Sequence, residues 1–84
     1  MKIKFACPIC QSYTFRSPED IGDICPVCFW ELEGFEHENQ DTPKYGPNGD
    51  LSVAQARVNY QKFRAVQERF IKEVRHPLES EKNL

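Results

Sequence analysis

The pattern of apolar and polar positions divides the chain into an N-terminal part with strand-like alternation and a C-terminal part with helical periodicity. Over residues 12–16, Tyr13 and Phe15 alternate with polar side chains, which is typical of a β-strand with one buried face. Short apolar stretches of this kind surround two cysteine pairs. Residues 1–34 are therefore predicted to form two β-hairpins, each with a cysteine pair at its turn.

The helical pattern begins at Ser52. Ser52 and Gln55 have the spacing of a capping box, and Pro77 disfavours helix in the residue before it. Between them, apolar residues recur at steps of three or four: Ala56, Tyr60, Phe63, Val66, Phe70 and Val74. Residues 52–76 are therefore predicted to form one amphipathic helix, whose residues 53–75 would span roughly 34 Å at 1.5 Å per residue. Residues 77–84 are expected to be a flexible tail.

Three further apolar residues of this region, Val53, Val58 and Ile71, lie off the main stripe. A second apolar face on the helix would allow a dimer, so the pattern leaves the oligomeric state open. Residues 35–51 form an acidic, turn-rich connection. The predicted fold is a single α+β domain over residues 1–84, with a small zinc ribbon packed against one long C-terminal α-helix.

The four cysteines carry the strongest chemical signal. They form two C-x2-C pairs: Cys7, Cys10, Cys25 and Cys28. The 14 residues between the pairs are one short of the usual range for a four-cysteine zinc site, a trivial difference for a loop. Pro8 and Pro26 follow the first cysteine of each pair and preset the backbone for a turn. Four protein thiolates fill a tetrahedron, so we expect one structural Zn²⁺ and no catalytic position for water. A rubredoxin-like iron site uses the same ligands, and disulfides are a further alternative.

Composition and charge exclude several functions. The net charge of −2 argues against a generally basic nucleic-acid binder, and no apolar run is long enough for a membrane span. Residues 1–7 lack the apolar region of a secretory signal, which favours a cytoplasmic location with reduced thiols. No catalytic motif is recognisable, and the chain is not expected to be an enzyme.

The charges are unevenly distributed along the chain. Residues 31–43 contain five carboxylates and no Lys or Arg: Glu31, Glu33, Glu36, Glu38 and Asp41. The predicted helix is basic, with Arg57, Lys62, Arg64, Arg69, Lys72 and Arg75. The acidic residues are candidates for contacts with a protein partner, with Trp30 as an additional anchor, because tryptophan is enriched in binding hot spots. The basic helix is the candidate surface for nucleic acid.

Three segments together resemble the bacterial cysteine-rich CPCC family: Cys7–Cys10, Ile24–Glu31 and Gly46–Tyr60. The resemblance implies a small metal-binding bacterial protein, and the occurrence of members near secreted toxins implies an immunity role. The chain departs from the family pattern at two positions. The family has a further cysteine where this chain has Ile9, and often a glycine where this chain has Gln11. Since this chain lacks that cysteine, no role of an additional thiol is expected.

These observations lead to three functional hypotheses. The first is a non-enzymatic zinc protein that binds another protein, in its specific form an immunity protein that neutralises a toxin through the acidic segment. The second is a nucleic-acid-binding zinc ribbon that uses the basic helix. The third is a rubredoxin-like iron electron carrier.

Overall fold

The computed structural model describes residues 5–43 and 45–82, so the first four residues of the predicted ribbon lie outside the described part. Strand β1 (Phe5–Ala6) pairs antiparallel with β2 (Tyr13–Phe15), with an irregularity in the register at β1. The turn between the strands holds the first cysteine pair. The predicted first hairpin is therefore confirmed.

The second cysteine pair lies in a shorter antiparallel pairing. Ile24 forms an isolated bridge with Glu31, and the Leu32 amide donates to the carbonyl of Asp23 at 2.9 Å. The Cys25 amide also donates to the Trp30 carbonyl at 2.9 Å. The second cysteine pair therefore lies at the turn of a short antiparallel pairing.

The C-terminal half corrects the sequence-based prediction. Helix α1 (Val53–Phe63) spans 11 residues and ends at Arg64, which adopts a left-handed conformation with φ of 63°. Two short 3-10 helices follow, Glu68–Glu73 and Glu79–Glu81. The prediction of one long helix over 52–76 is wrong, because the chain turns away after Phe63 and packs against the second cysteine pair. No helix in the described ranges is long and apolar enough to cross a membrane.

One of the two hydrogen bonds of the predicted capping box forms at the N-terminus of α1. Ser52 is the N-cap, and its side chain accepts a hydrogen bond from the Gln55 amide at 3.0 Å. The Gln55 side chain, however, donates to Asn59 at 2.9 Å. Val53 is buried rather than part of an exposed second face, whereas Val58 and Ile71 are exposed as expected.

The described part of the tail has specific contacts. Arg75 donates two hydrogen bonds to the carboxylate of Glu81, at 2.8 and 2.9 Å, and Glu81 is buried. The 3-10 helix Glu79–Glu81 lies against β2. The predicted flexible tail over residues 77–84 therefore makes specific contacts at Glu79–Glu81.

The core surrounds the cysteines. Its buried members come from both cysteine turns, from β2 and from the C-terminal half: Cys7, Ile9, Phe15, Cys25, Val27, Cys28, Trp30, Leu32, Val53, Ala56, Tyr60 and Val66. A single apolar cluster therefore encloses the four thiols and joins the ribbon to α1.

Candidate metal centre

The four predicted ligands come together in one cluster. The Sγ atoms of Cys7, Cys10, Cys25 and Cys28 all lie within 4.8 Å of one another. The Sγ atom of Cys7 is 3.6 Å from that of Cys28, and the Sγ atom of Cys10 is 3.7 Å from that of Cys25. A disulfide has sulfur atoms about 2.05 Å apart, so these thiols are not paired as disulfides.

The sulfur spacing fits a tetrahedral metal ion. With metal–sulfur bonds of about 2.3 Å, the edges of a regular tetrahedron are about 3.8 Å long. The two short sulfur–sulfur distances lie close to this value. The cluster can therefore hold one metal ion with four thiolate ligands, and zinc and iron both accept this ligand set.

The two cysteine turns have the same backbone structure. In each turn, the amide two residues after the first cysteine points at its sulfur: Ile9 to Cys7 at 3.5 Å, and Val27 to Cys25 at 3.4 Å. Because the intervening residue is proline, it has no amide proton to offer. Amide donors stabilise the charged form of a thiolate, so both turns are prepared to bind a cation.

The residue that closes each turn is strained in the same way. Gln11 and Phe29 donate their amides to the carbonyls of Cys7 and Cys25, at 2.9 and 2.8 Å. Their φ angles are 67° and 73°, in the left-handed region that favours glycine. This geometry explains why glycine suits the position of Gln11. The backbone, rather than contact with the metal, sets that preference.

The electrostatics of the cluster depend on all four sulfurs. Hydrogen bonds from Cys10, Cys28 and Cys7 lower the pKa of the Cys25 thiol, and Thr14 contributes with its Oγ1 at 3.2 Å from the sulfur. Hydrogen bonds with Cys10 and Cys25, followed by burial, raise the pKa of Cys28. Four thiolates in one buried space repel each other, so ionisation of all four requires a cation.

A mostly apolar shell shields the cluster. Cys7, Cys25 and Cys28 are fully buried, and Cys10 is partly exposed. The ring of Phe29 packs on Phe70, with centroids 4.4 Å apart, and covers the second turn. Such a shell limits the access of water to the thiolates.

The C-terminal half holds both turns through backbone carbonyls. Arg57 donates from Nε to the Pro8 carbonyl at 2.9 Å, and the Arg75 amide donates to the Pro26 carbonyl at 3.1 Å. The Val66 amide donates to the Cys28 carbonyl at 2.9 Å. These bonds explain why the chain leaves the helix after Phe63, since Val66 bonds to the ribbon instead of continuing the helical pattern.

Two residues predicted to contact a partner have structural roles. Trp30 is fully buried, and its indole nitrogen donates to Glu36 at 2.8 Å. Glu36 is only 6% exposed and also accepts hydrogen bonds from the amides of Glu33 and Gly34. A fully buried indole offers no surface to a partner, which argues against the predicted role of Trp30 as a partner anchor. The Glu36 carboxylate stabilises the fold and is not part of the acidic surface.

The remaining acidic residues reach the surface. Glu31 and Glu33 are partly exposed, and Glu38 and Asp41 are exposed. None of these four carboxylates belongs to the described thiol cluster, so the metal centre and the acidic surface are separate features. His37 and His76 are exposed and lie outside the thiol cluster.

Sequence reasoning missed the role of Asn48. Its side chain bonds to both the amide and the carbonyl of Glu31 at 2.8 Å, as a neighbouring strand would, and to the Glu33 carboxylate at 2.7 Å. The bridge between Gly46 and Gly49 forms the tight turn that presents it. The Gly-Pro-Asn-Gly motif indicated a turn, but nothing local indicated its contact 17 residues away.

The fold and the cluster together define a small α+β domain built around a four-cysteine metal-binding site. A family comparison agrees with this class: the model of the family described as cysteine-rich CPCC matches residues 5–81. The chain belongs to the cysteine-rich CPCC family. No curated protein and no solved structure shows a significant match to the chain.

Proposed function

We propose that the protein is a non-enzymatic zinc protein whose metal is structural and whose activity is binding to another protein. The observation that carries this proposal is the closed thiol cluster, in which the protein supplies all four ligands and three of them are fully buried. Catalytic zinc sites keep one position open for water or substrate, and a four-thiolate tetrahedron has none.

The partner is proposed to meet the acidic surface. Glu31, Glu33, Glu38 and Asp41 remain at the surface after the reassignment of Glu36 and Trp30. In the specific form suggested by the family, the partner is a bacterial toxin, and a nuclease toxin would offer a basic cleft of opposite potential. Complementary charge of this kind accelerates association and favours the correct partner.

Co-expression with the product of the adjacent gene tests the immunity form. We expect a stable complex that co-purifies and whose association rate falls as salt is raised, because salt screens surface charge. The test variant combines Glu31→Gln with Asp41→Asn. The matched control combines Glu68→Gln with Glu79→Gln, which remove the same charge elsewhere. Absence of a complex, or equal loss of association rate in both pairs, would contradict the immunity form.

The metal itself is tested by elemental analysis of protein from its native source. Zinc at one ion per chain is expected, and iron would favour the electron-carrier alternative. In both cases removal of the metal should unfold the ribbon, because metal binding contributes about 10–16 kcal/mol in comparable small zinc sites. Retention of far-ultraviolet structure after chelation would contradict a structural role.

The nucleic-acid alternative receives less support. The six cations do not form one helical face, because only Arg57 and Lys62 belong to α1. Arg57 is bound to the Pro8 carbonyl, and Arg75 is paired with Glu81. Binding to nucleic acid predicts an affinity that falls steeply with salt, and no measurable binding to DNA or RNA at low salt removes this alternative.

A further inference from the structure

An open groove lies beside the second cysteine turn, on the face formed by the acidic segment and the Gly46–Gly49 turn. Its volume is about 280 Å³. Its lining consists of apolar residues and two carboxylates: Ile21, Leu32, Phe35, Gly46, Pro47, Glu31 and Glu33. We call this feature the acidic groove. It is separate from the thiol cluster, none of whose sulfurs lines it.

The walls of the acidic groove are fixed by specific contacts. Asn48 ties the backbone of Glu31 to the Gly46–Gly49 turn through two hydrogen bonds of 2.8 Å. On the other side, Ile21 lies so close to Gly34 that a Cβ atom there would be 2.8 Å from the Ile21 Cδ1. Glu36 holds the backbone just before Phe35 through the Gly34 amide at 3.0 Å. The groove is therefore part of the fold and does not need to form on binding.

The groove exposes large apolar side chains. Ile21 is 56% exposed and Phe35 is 55% exposed, although both border the same depression. Tyr45, next to Gly46, is exposed as well. Apolar residues scattered singly on a surface need no explanation, but a cluster rimmed by polar residues is typical of a site for a protein partner.

The charge of the groove selects the kind of partner. Within the described part of the chain, both charged residues of the lining are glutamates. An occupant with an acidic flank would be repelled, and a purely apolar one would leave the carboxylates without a counter-charge. The volume lies at the lower edge of the range of about 300–1,000 Å³ typical of small-molecule sites, and it is large enough for one apolar side chain.

We propose that the acidic groove binds a partner polypeptide through one apolar side chain flanked by lysine or arginine. The apolar side chain fills the depression between Ile21 and Phe35, and the flanking cations lie over the carboxylates of Glu31 and Glu33. This inference rests on the proposed protein-binding function and assigns it to a specific surface and a specific chemistry.

A peptide titration tests the chemistry. The probe is an acetylated peptide Gly-Ser-Lys-Phe-Arg-Ser-Gly, added to ¹⁵N-labelled, metal-loaded protein and followed by amide chemical shifts. We expect shifts concentrated at Ile21, Leu32, Phe35 and Gly46. A peptide with Phe replaced by Ala should bind at least about tenfold more weakly, since burial of a Phe side chain is worth about 1.5–3 kcal/mol. A peptide with Glu on both sides of Phe should not bind.

Variants of the groove test the surface. Phe35→Ser should weaken peptide binding about tenfold, and Glu31→Gln with Glu33→Gln should remove its salt dependence while preserving the hydrogen bond that Glu33 accepts from Asn48. The matched control is Val58→Ser, which removes an apolar side chain of equal exposure, 55%, outside the groove lining. Metal content and Trp30 fluorescence establish that each variant is folded.

The outcomes separate the two proposals. Equal binding of the Phe and Ala peptides, shifts spread over other surfaces, or equal loss in Phe35→Ser and Val58→Ser would overturn the groove assignment. A homodimer that Phe35→Ser dissociates would also overturn it, since the occupant would then be a second copy. If a co-purified partner binds Phe35→Ser at full affinity, the groove assignment fails while the protein-binding function stands. If the peptides bind but no partner protein does, the immunity function fails while the chemistry of the groove stands.

Discussion

Glu36 offers the sharpest test of the division between fold and surface in the acidic segment. Its buried carboxylate accepts three hydrogen bonds, from the Trp30 indole at 2.8 Å, the Gly34 amide at 3.0 Å and the Glu33 amide. Glu36→Ala leaves the fully buried indole nitrogen without an acceptor. An unsatisfied buried donor costs about 1–3 kcal/mol, and the two amides, which lie nearer the surface, recover part of their loss from water. We expect a total loss of about 3 kcal/mol in the free energy of unfolding.

The assay is denaturant unfolding of the metal-loaded protein, followed by the fluorescence of Trp30, the single tryptophan of the chain. Asp41→Asn is the matched control, because it removes an exposed carboxylate of the same segment and should cost less than about 0.5 kcal/mol. Glu36→Gln should fall between the two, since its amide presents one acceptor oxygen to three donors. A loss below 1 kcal/mol in Glu36→Ala, with unchanged Trp30 emission, would refute the structural role of this carboxylate.

Three further predictions concern the cysteine turns and the C-terminal contacts. Gln11→Gly should stabilise the protein by up to about 1 kcal/mol, because relief of the left-handed strain exceeds the added entropy of the unfolded chain. Gln11→Ala is the control, and a free energy of unfolding no higher in Gln11→Gly than in Gln11→Ala would contradict the strain. A double-mutant cycle of Arg75→Gln and Glu81→Gln should give a coupling energy of about 1 kcal/mol at low salt, reduced because Arg75 is partly exposed. The hydrogen bond from Arg75 lowers the pKa of Glu81, so this coupling should persist as pH falls from 8 to 5 and disappear only below the ordinary carboxyl range; a loss already complete at pH 5 would contradict it. Under limiting iodoacetamide, the first adduct should form on Cys10, the only partly exposed ligand, as mapped by peptide mass spectrometry; equal labelling of Cys28 would contradict the burial pattern.

The metal centre could be predicted from the sequence because its information is local. Only two residues separate the ligands of each pair, and the proline among them already biases the backbone toward a turn. Only the meeting of the two turns is a long-range event, and a shared cation is sufficient to bring them together. The spacing therefore indicated all four ligands without any knowledge of the core.

The C-terminal half could not be predicted in the same way. Val66 and Phe70 fit a helical stripe as well as they fit the observed path, because both paths bury them. The helix ends at Phe63, three residues before the Val66 amide that bonds to the Cys28 carbonyl. Arg64, which adopts the left-handed conformation after the helix, is not a residue that signals an end. A tertiary hydrogen bond replaced the local pattern.

The acidic segment shows the same limit for function. Charge alone made five carboxylates equivalent, yet burial separates Glu36 from the other four. The buried indole of Trp30 needs a hydrogen-bond acceptor, which the Glu36 carboxylate provides, and their pairing is visible only once the core is assembled. Partner-binding residues inferred from composition therefore need a burial criterion before they are tested by substitution.

The metal centre and the acidic groove are coupled through the second cysteine turn. The Cys25 amide donates to the Trp30 carbonyl, and the neighbouring residues Ile24 and Glu31 form a β-bridge. Glu31 also lines the groove. Without the proposed metal, this turn would lose the ion that holds it to the first turn, and the groove walls would lose their support. The proposed metal and the proposed partner are then expected to act as linked ligands of one folded state, each stabilising binding of the other without touching it. Loss of partner binding after chelation therefore supports a structural metal, and it does not imply that the partner contacts the ion.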